Sequence, residues 1–196
     1  KIYRAHKDLC ASVYLDYAAT PPIDPRALNA MIPYLTEAFG TRMSLHSFGQ
    51  DAKAALENSR EIIANFLGAK TSEIIFTSSA TESNNLALKG VALARRSMKG
   101  EGGHIIISQI AHPCIMESAF WLEKNGFEIT RLAVDKYGLI NLQELEKVIR
   151  KETILVSIIH ASNEIGTIQD ISAIGKICRE KGVLFHTDCA QSFGKV

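Results

Sequence analysis

The sequence predicts an α/β fold, a mostly parallel sheet covered by helices, and two observations carry that expectation. From Glu73 onward, strand-length apolar runs alternate with segments of helical periodicity, the pattern of successive βα units. The runs themselves, such as Thr153 to His160 and Val183 to Phe185, are β-branched or apolar with little alternation, as strands buried on both faces require. With 196 residues and 46% hydrophobic content, the chain can bury a sizeable core and is expected to be one domain or part of one.

The elements follow in order. Tyr14 to Thr20 reads as a short extended surface piece stopped by Pro21-Pro22. Asp24 followed by Pro25 is an N-cap with proline at the first helical position, and Ala27, Leu28, Met31 and Leu35 continue a helix interrupted near Pro33. The polar stretch Gly40 to Gly49, with Arg42, Ser44, His46 and Ser47, reads as a loop. From Gln50, the spacing of Ala54, Leu56, Ile62, Ile63, Phe66 and Leu67 predicts a long amphipathic helix closed by Gly68.

A strand over Glu73 to Thr77 then leads through Ser78-Ser79-Ala80 into a helix from Thr81 to about Ser97. Strand His104 to Ser108 leads through Ile110-Ala111-His112-Pro113 into a helix closed by Asn125-Gly126. Phe127 to Leu132 is a strand, Asn141 to Arg150 a helix opened by an Asn-x-x-Glu cap, and Thr153 to His160 a strand. Asp170 caps a helix to Lys181, and the last apolar run ends on His186-Thr187-Asp188. There is no internal repeat, low-complexity segment or linker.

Twenty-two basic and twenty-one acidic residues leave a net charge of +1, which provides no footprint for nucleic acid or an anionic membrane and favours small-molecule partners. The cysteines Cys10, Cys114, Cys178 and Cys189 form neither a CxxC pair nor a metal-ligand cluster, as expected in a reducing compartment. The apolar runs are no longer than strands, and the opening Lys1-Ile2-Tyr3-Arg4 is not a leader pattern. A soluble cytoplasmic protein is expected. An organelle matrix is the alternative, because the first residue is not methionine and a transit peptide can be trimmed.

In an open α/β sheet the carboxyl ends of the strands form the ligand crevice, so the polar residues after each strand are the site candidates. Ser78 to Thr81 lies between a strand and a helix whose first amides are unpaired, an anion-docking arrangement that suits a phosphate; the plainer alternative is an ordinary N-cap formed by Thr81 with Glu82 and Asn84. His112 is a candidate general base, a stacking ring or an incidental polar residue, Asn163 follows the strand ending at His160, and Asp188 and Gln191 follow the last strand. Asp188 as a helix cap, and Asn163 as a loop-capping residue, remain open at this point.

Four blocks together resemble the cysteine desulfurases of the NifS/IscS type, within the class V aminotransferases: Tyr14-Leu15-Asp16-Tyr17-Ala18-Ala19-Thr20-Pro21-Pro22, Phe76-Thr77-Ser78-Ser79-Ala80-Thr81-Glu82-Ser83-Asn84-Asn85, Ala161 to Gln169, and His186-Thr187-Asp188-Cys189-Ala190-Gln191-Ser192. The resemblance implies the large domain of a pyridoxal phosphate (PLP)-dependent transferase of fold type I, with residues 1–45 as an N-terminal segment and helix and 46–196 as part of the PLP-binding domain. It implies that Ala80 and Thr81 hold the phosphate, Asp188 pairs with the pyridine nitrogen, Asn163 and Gln191 reach the ring oxygen, and His112 stacks on the ring and moves protons. The implied reaction converts L-cysteine to L-alanine and passes sulfur to an acceptor such as an iron–sulfur scaffold. The implied assembly is a homodimer. Selenocysteine lyase, another class V aminotransferase, and a non-catalytic partner subunit are the alternatives.

The sequence departs from that pattern at Ser79, where the family has glycine, at Ala111, where it has glutamate, and at Thr41-Arg42, where it has Asn-Pro. Ser79 is the awkward one if the position needs a positive φ. The family's Schiff-base lysine and persulfide-forming cysteine match no residue here; Lys195 comes too early and Cys189 reads as a packing residue. The expectation is an N-terminal portion, inactive and aggregation-prone alone.

Overall fold

The computed structural model describes residues 13–100 and 102–196. Cys10 and the opening residues 1–4 lie outside them. The chain divides into two compact units, with the division between Phe76 and Thr77.

The first unit is helical. Helix α1 (Pro25–Thr36) starts where Asp24 accepts from the Arg26 amide at 2.8 Å and Pro25 opens the first turn. Pro33 does not interrupt it: the helix runs through, then ends when the Glu37 and Ala38 amides both turn onto the Pro33 carbonyl. Helix α2 (Ser47–Leu67) begins inside the predicted loop, because Gly49 is helical and buried. A Cβ on Gly49 would meet the Ser44 carbonyl oxygen at 2.3 Å, so glycine lets the preceding turn close on the helix. Gly68, at φ 64°, ends α2 as expected.

The predicted strand Glu73 to Thr77 is not one. Thr71–Glu73 form a short 3-10 turn, Ile74 after it is extended, and residues 74–77 have no ladder partner among the described residues. Extended backbone becomes a strand only when a neighbour takes its amides and carbonyls; here the Arg60 guanidinium takes the Ile74 carbonyl.

The second unit is a three-layer α/β structure. Its elements are α3 (Ala80–Lys99), β1 (His104–Ser108), α4 (Pro113–Lys124), β2 (Glu128–Leu132), α5 (Leu142–Val148), β3 (Thr153–Ile159), α6 (Ile171–Glu180) and β4 (Leu184–Asp188). The four strands are parallel in the order β2-β1-β3-β4, with Ile106 opposite Thr130 and Val156, and Ile158 opposite Thr187.

Period-two alternation sorts the apolar run of β1. Ile105 and Ile107 join Leu88, Ala92, Ile115, Ala119, Leu122 and Leu155 in a core under α3 and α4. Ile106 joins Val156, Ile158, Leu145, Ile174 and Cys178 under α5 and α6 on the other face. Asn141 and Asp170 cap α5 and α6 as predicted, while the Glu144 side chain pairs with Lys147 at 2.6 Å.

His104, 2% exposed, ties three strands together at the start of β1: Nδ1 meets the Thr153 hydroxyl at 2.8 Å and Nε2 the Thr130 hydroxyl at 2.7 Å. Burial, helped by the nearby Arg150 charge, pushes this imidazole down to about 4.

Candidate functional site

Because all four strands are parallel, their carboxyl ends open on one edge of the sheet. Asp188, the last residue of β4, is only 8% exposed there. Its Oδ1 accepts from the Ala190 amide at 3.0 Å and closes a local turn, but no helix follows β4 among the described residues, so Asp188 is not a helix cap. Its Oδ2 accepts from Asn84 Nδ2 of α3 at 2.8 Å, a contact between distant elements. The His160 amide holds the Asp188 carbonyl at 2.9 Å and fixes the backbone beneath.

Helix α3 presents its N-terminus at the same edge. Ser79, not Thr81, is the N-cap: its hydroxyl accepts from the Glu82 amide at 3.2 Å, and Ala80 and Thr81 are the first helical residues. The reason is backbone geometry, since Ser79 is extended at φ −165°, a conformation any residue adopts and one an N-cap favours. The feared strain from a side chain in place of glycine is therefore absent. The amides of Ala80 and Thr81, exposed residues both, have no acceptor within the helix. The Glu82 carboxylate folds back onto the Ser78 amide and hydroxyl at 2.7 and 2.6 Å; these bonds hold it below the usual carboxylate range and tighten the loop.

His112 is the N-cap of α4. Its Nδ1 accepts from the Cys114 amide at 3.2 Å, so in the neutral ring Nε2 carries the proton. His112 and Asn163 line one cleft of about 350 Å³ with Gln109, Met116 and Glu164. In the loop after β3 the turn is made by Ser162, whose hydroxyl accepts from the Glu164 and Ile165 amides at 3.3 Å each, so Asn163 is not the loop cap. Gln191 is half-buried in the turn after β4, beside Ser192, whose hydroxyl meets His160 Nδ1 at 2.8 Å.

Two residues join these pieces in roles that sequence reasoning left out. Cys114 Sγ lies 3.0 Å from His112 Nδ1 and 3.3 Å from Asn84 Nδ2, and Asn84 in turn holds Asp188. A chain of contacts thus runs from the cleft histidine through α4 and α3 to the acid on β4. A signal for Asn84 was present: it lies in line with Leu88 and Ala92, an amide on the buried stripe of α3.

The chain matches the aminotransferase class-V family over residues 13–196. It is 50% identical over 184 residues to the cysteine desulfurase IscS of Dictyoglomus turgidum, covering 94% of this chain and 46% of that protein. It is 48% identical over 187 residues to the mitosomal cysteine desulfurase of Trachipleistophora hominis, covering 95% and 42%. A solved structure of SspA in complex with cysteine superposes with a TM-score of 0.87 at 43% identity, covering 93% of this chain and 52% of that one. The chain therefore spans about half the length of the curated relatives it matches. The parallel sheet flanked by helices is the fold type I arrangement of its solved neighbours.

Proposed function

We infer that this chain, which belongs to the class-V aminotransferase family, carries much of the PLP cradle of a cysteine desulfurase, the enzyme that takes L-cysteine to L-alanine and hands the sulfur to an acceptor protein. The observation that carries this reading is the buried Asp188 at the tip of β4, bonded to Asn84, four residues into α3 from Ala80. Four residues of helix rise about 6 Å, so the acid and the anion-receptive helix end are separated by a distance that suits a ring with a phosphate arm.

The residues present fit PLP. The free amides of Ala80 and Thr81, with the helix dipole behind them, suit its phosphate. Asp188 suits the pyridine nitrogen, which a carboxylate keeps protonated. Asn163 and Gln191 offer amides to the ring oxygen, and His112 offers a flat ring and an Nε2 proton at the cleft. When bound, PLP supplies the electron sink that stabilises negative charge at the substrate's α-carbon. In this reading Asp188 sustains that sink and His112 moves protons beside it.

A lysine to hold PLP covalently and a cysteine to take up the sulfur are also needed, and on this reading neither lies within residues 13–196. Cys178 is buried and its thiol pushed up to about 11, which disfavours the thiolate. We further propose an iron–sulfur scaffold as sulfur acceptor, a homodimeric assembly and a cytoplasmic location; a similar protein is mitosomal, which makes an organelle matrix the alternative. Among the described residues no helix is long and apolar enough to cross a membrane.

The test is product analysis. Full-length protein incubated with PLP, L-cysteine and a thiol reductant is expected to form alanine and sulfide in equal amounts. Alanine from L-selenocysteine alone makes the protein a selenocysteine lyase, and PLP binding without turnover of either substrate makes it a non-catalytic partner.

A further inference from the structure

We propose that Asn84 is a positioning residue for Asp188, holding the buried carboxylate in one orientation toward the pyridine nitrogen. The inference rests on the PLP reading above and adds a residue to it. Asn84 is 3% exposed and sits on the buried stripe of α3 with Leu88 and Ala92, a place where an amide is retained only when its hydrogen bonds are made.

Both protons of its Nδ2 face acceptors, Asp188 Oδ2 at 2.8 Å and Cys114 Sγ at 3.3 Å. The opposite amide orientation would set its oxygen against a carboxylate, so the direction of donation is determined.

The two oxygens of Asp188 are held differently. Oδ1 accepts from Ala190, two residues away, and that turn moves with the strand tip. Oδ2 accepts from a side chain 104 residues distant in sequence, on the helix whose N-terminus offers the anion site. A single local bond leaves the carboxylate able to swing about its Cβ–Cγ bond. A second bond from another element stops that rotation and sets the acid at a fixed distance from the Ala80 and Thr81 amides. Asn84 thereby couples the two ends of the cradle without touching the cofactor, acting through Asp188.

The experiment titrates full-length protein with PLP and with its deaza analogue, in which carbon replaces the pyridine nitrogen. The set comprises wild type, Asn84→Leu, Asn84→Ala, Asp188→Asn and the double variant Asn84→Leu/Asp188→Asn, each checked for native circular dichroism. Losing a hydrogen bond to a charged group predicts roughly tenfold weaker PLP binding in Asn84→Leu. The deaza analogue is expected to bind wild type and Asn84→Leu alike, and the Asn84 change to add nothing once Asp188 is asparagine. Asn84→Ala carries the same comparison if leucine is not accommodated. Unchanged PLP affinity in folded Asn84 variants overturns the positioning role and leaves the PLP reading standing. Equal losses for PLP and the analogue also overturn it, since a general packing defect does not single out the ring nitrogen. A wild-type protein that binds no PLP overturns both readings together.

Discussion

The two compact units are built from helices of similar amphipathic pattern, yet only one of them turns that pattern into a core. In the first, α1 buries no residue and α2 buries only Gly49 and Ala64, while Met31, Leu35, Ile62 and Phe66 stay exposed. In the second, α3 and α4 lay their stripes on one face of a parallel sheet, and α5 and α6 lay theirs on the other. The difference is the sheet. A helix face is stabilised by the surface it meets, not by its own periodicity, and β1 and β3 supply that surface with fully buried isoleucine, leucine and valine. Every proposed cofactor contact also belongs to the second unit, at the strand ends that this packing fixes in place.

Two truncations, one in each unit, separate the two cases. Leu88→Ala, at 0% exposure under the sheet, is expected to cost about 3–4 kcal/mol in denaturant unfolding. Leu35→Ala, at 70% exposure on α1, is expected to stay within about 0.5 kcal/mol. Trp121, the single tryptophan, lies on α4 and reports the second unit by fluorescence. Comparable costs at both positions would remove the distinction between the units.

A smaller effect comes from His104, whose folded-state value of about 4 lies below the ordinary 6.5. The unfolded chain binds its proton first on acidification. Stability is therefore complete above about pH 6.5 and falls toward pH 4, by on the order of 2–3 kcal/mol for this one group. Replacing His104 with asparagine lowers stability at neutral pH and flattens the pH slope in that window. An unchanged slope would contradict the assignment.

Smaller still is the cap of α3. Ser79→Ala should cost about 1 kcal/mol and Ser79→Gly only a few tenths, because glycine tolerates the N-cap position while alanine does not. Thermal unfolding of the two variants tests this. A larger loss for glycine than for alanine would mean that Ser79 acts otherwise than as the cap.

How far the sequence could be read follows from the same physics. Strands β1 and β3 were legible because burial on both faces leaves an unbroken apolar run, and Gly68, Asn141 and Asp170 marked helix ends through local hydrogen bonding that needs no tertiary partner. The stretch after Glu73 misled because periodicity reports extended backbone and not whether a neighbour pairs with it. The start of α2 was hidden since His46 makes no side-chain cap and Gly49 looked like a loop residue.

In the candidate site, the positions of Asp188, Asn163 and His112 after strands follow from topology, because carboxyl ends of parallel strands share an edge. The cap at Ser79 depended on one backbone angle. Asn84 is legible only as a residue of the α3 start, because its partner Asp188 lies 104 residues away, a separation that only the folded chain closes.

PLP is proposed to bind at the carboxyl edge of the sheet in the second unit, and amide hydrogen exchange with and without PLP, resolved by peptide on the full-length protein, locates the site. Protection is predicted in the segments 78–84, 109–113, 161–165 and 187–192, with none in 25–67. Protection concentrated instead at the opposite edge, around the cleft of about 330 Å³ lined by Gly103, Gly126, Arg150 and Glu152, or in the helices of the first unit, would contradict the account.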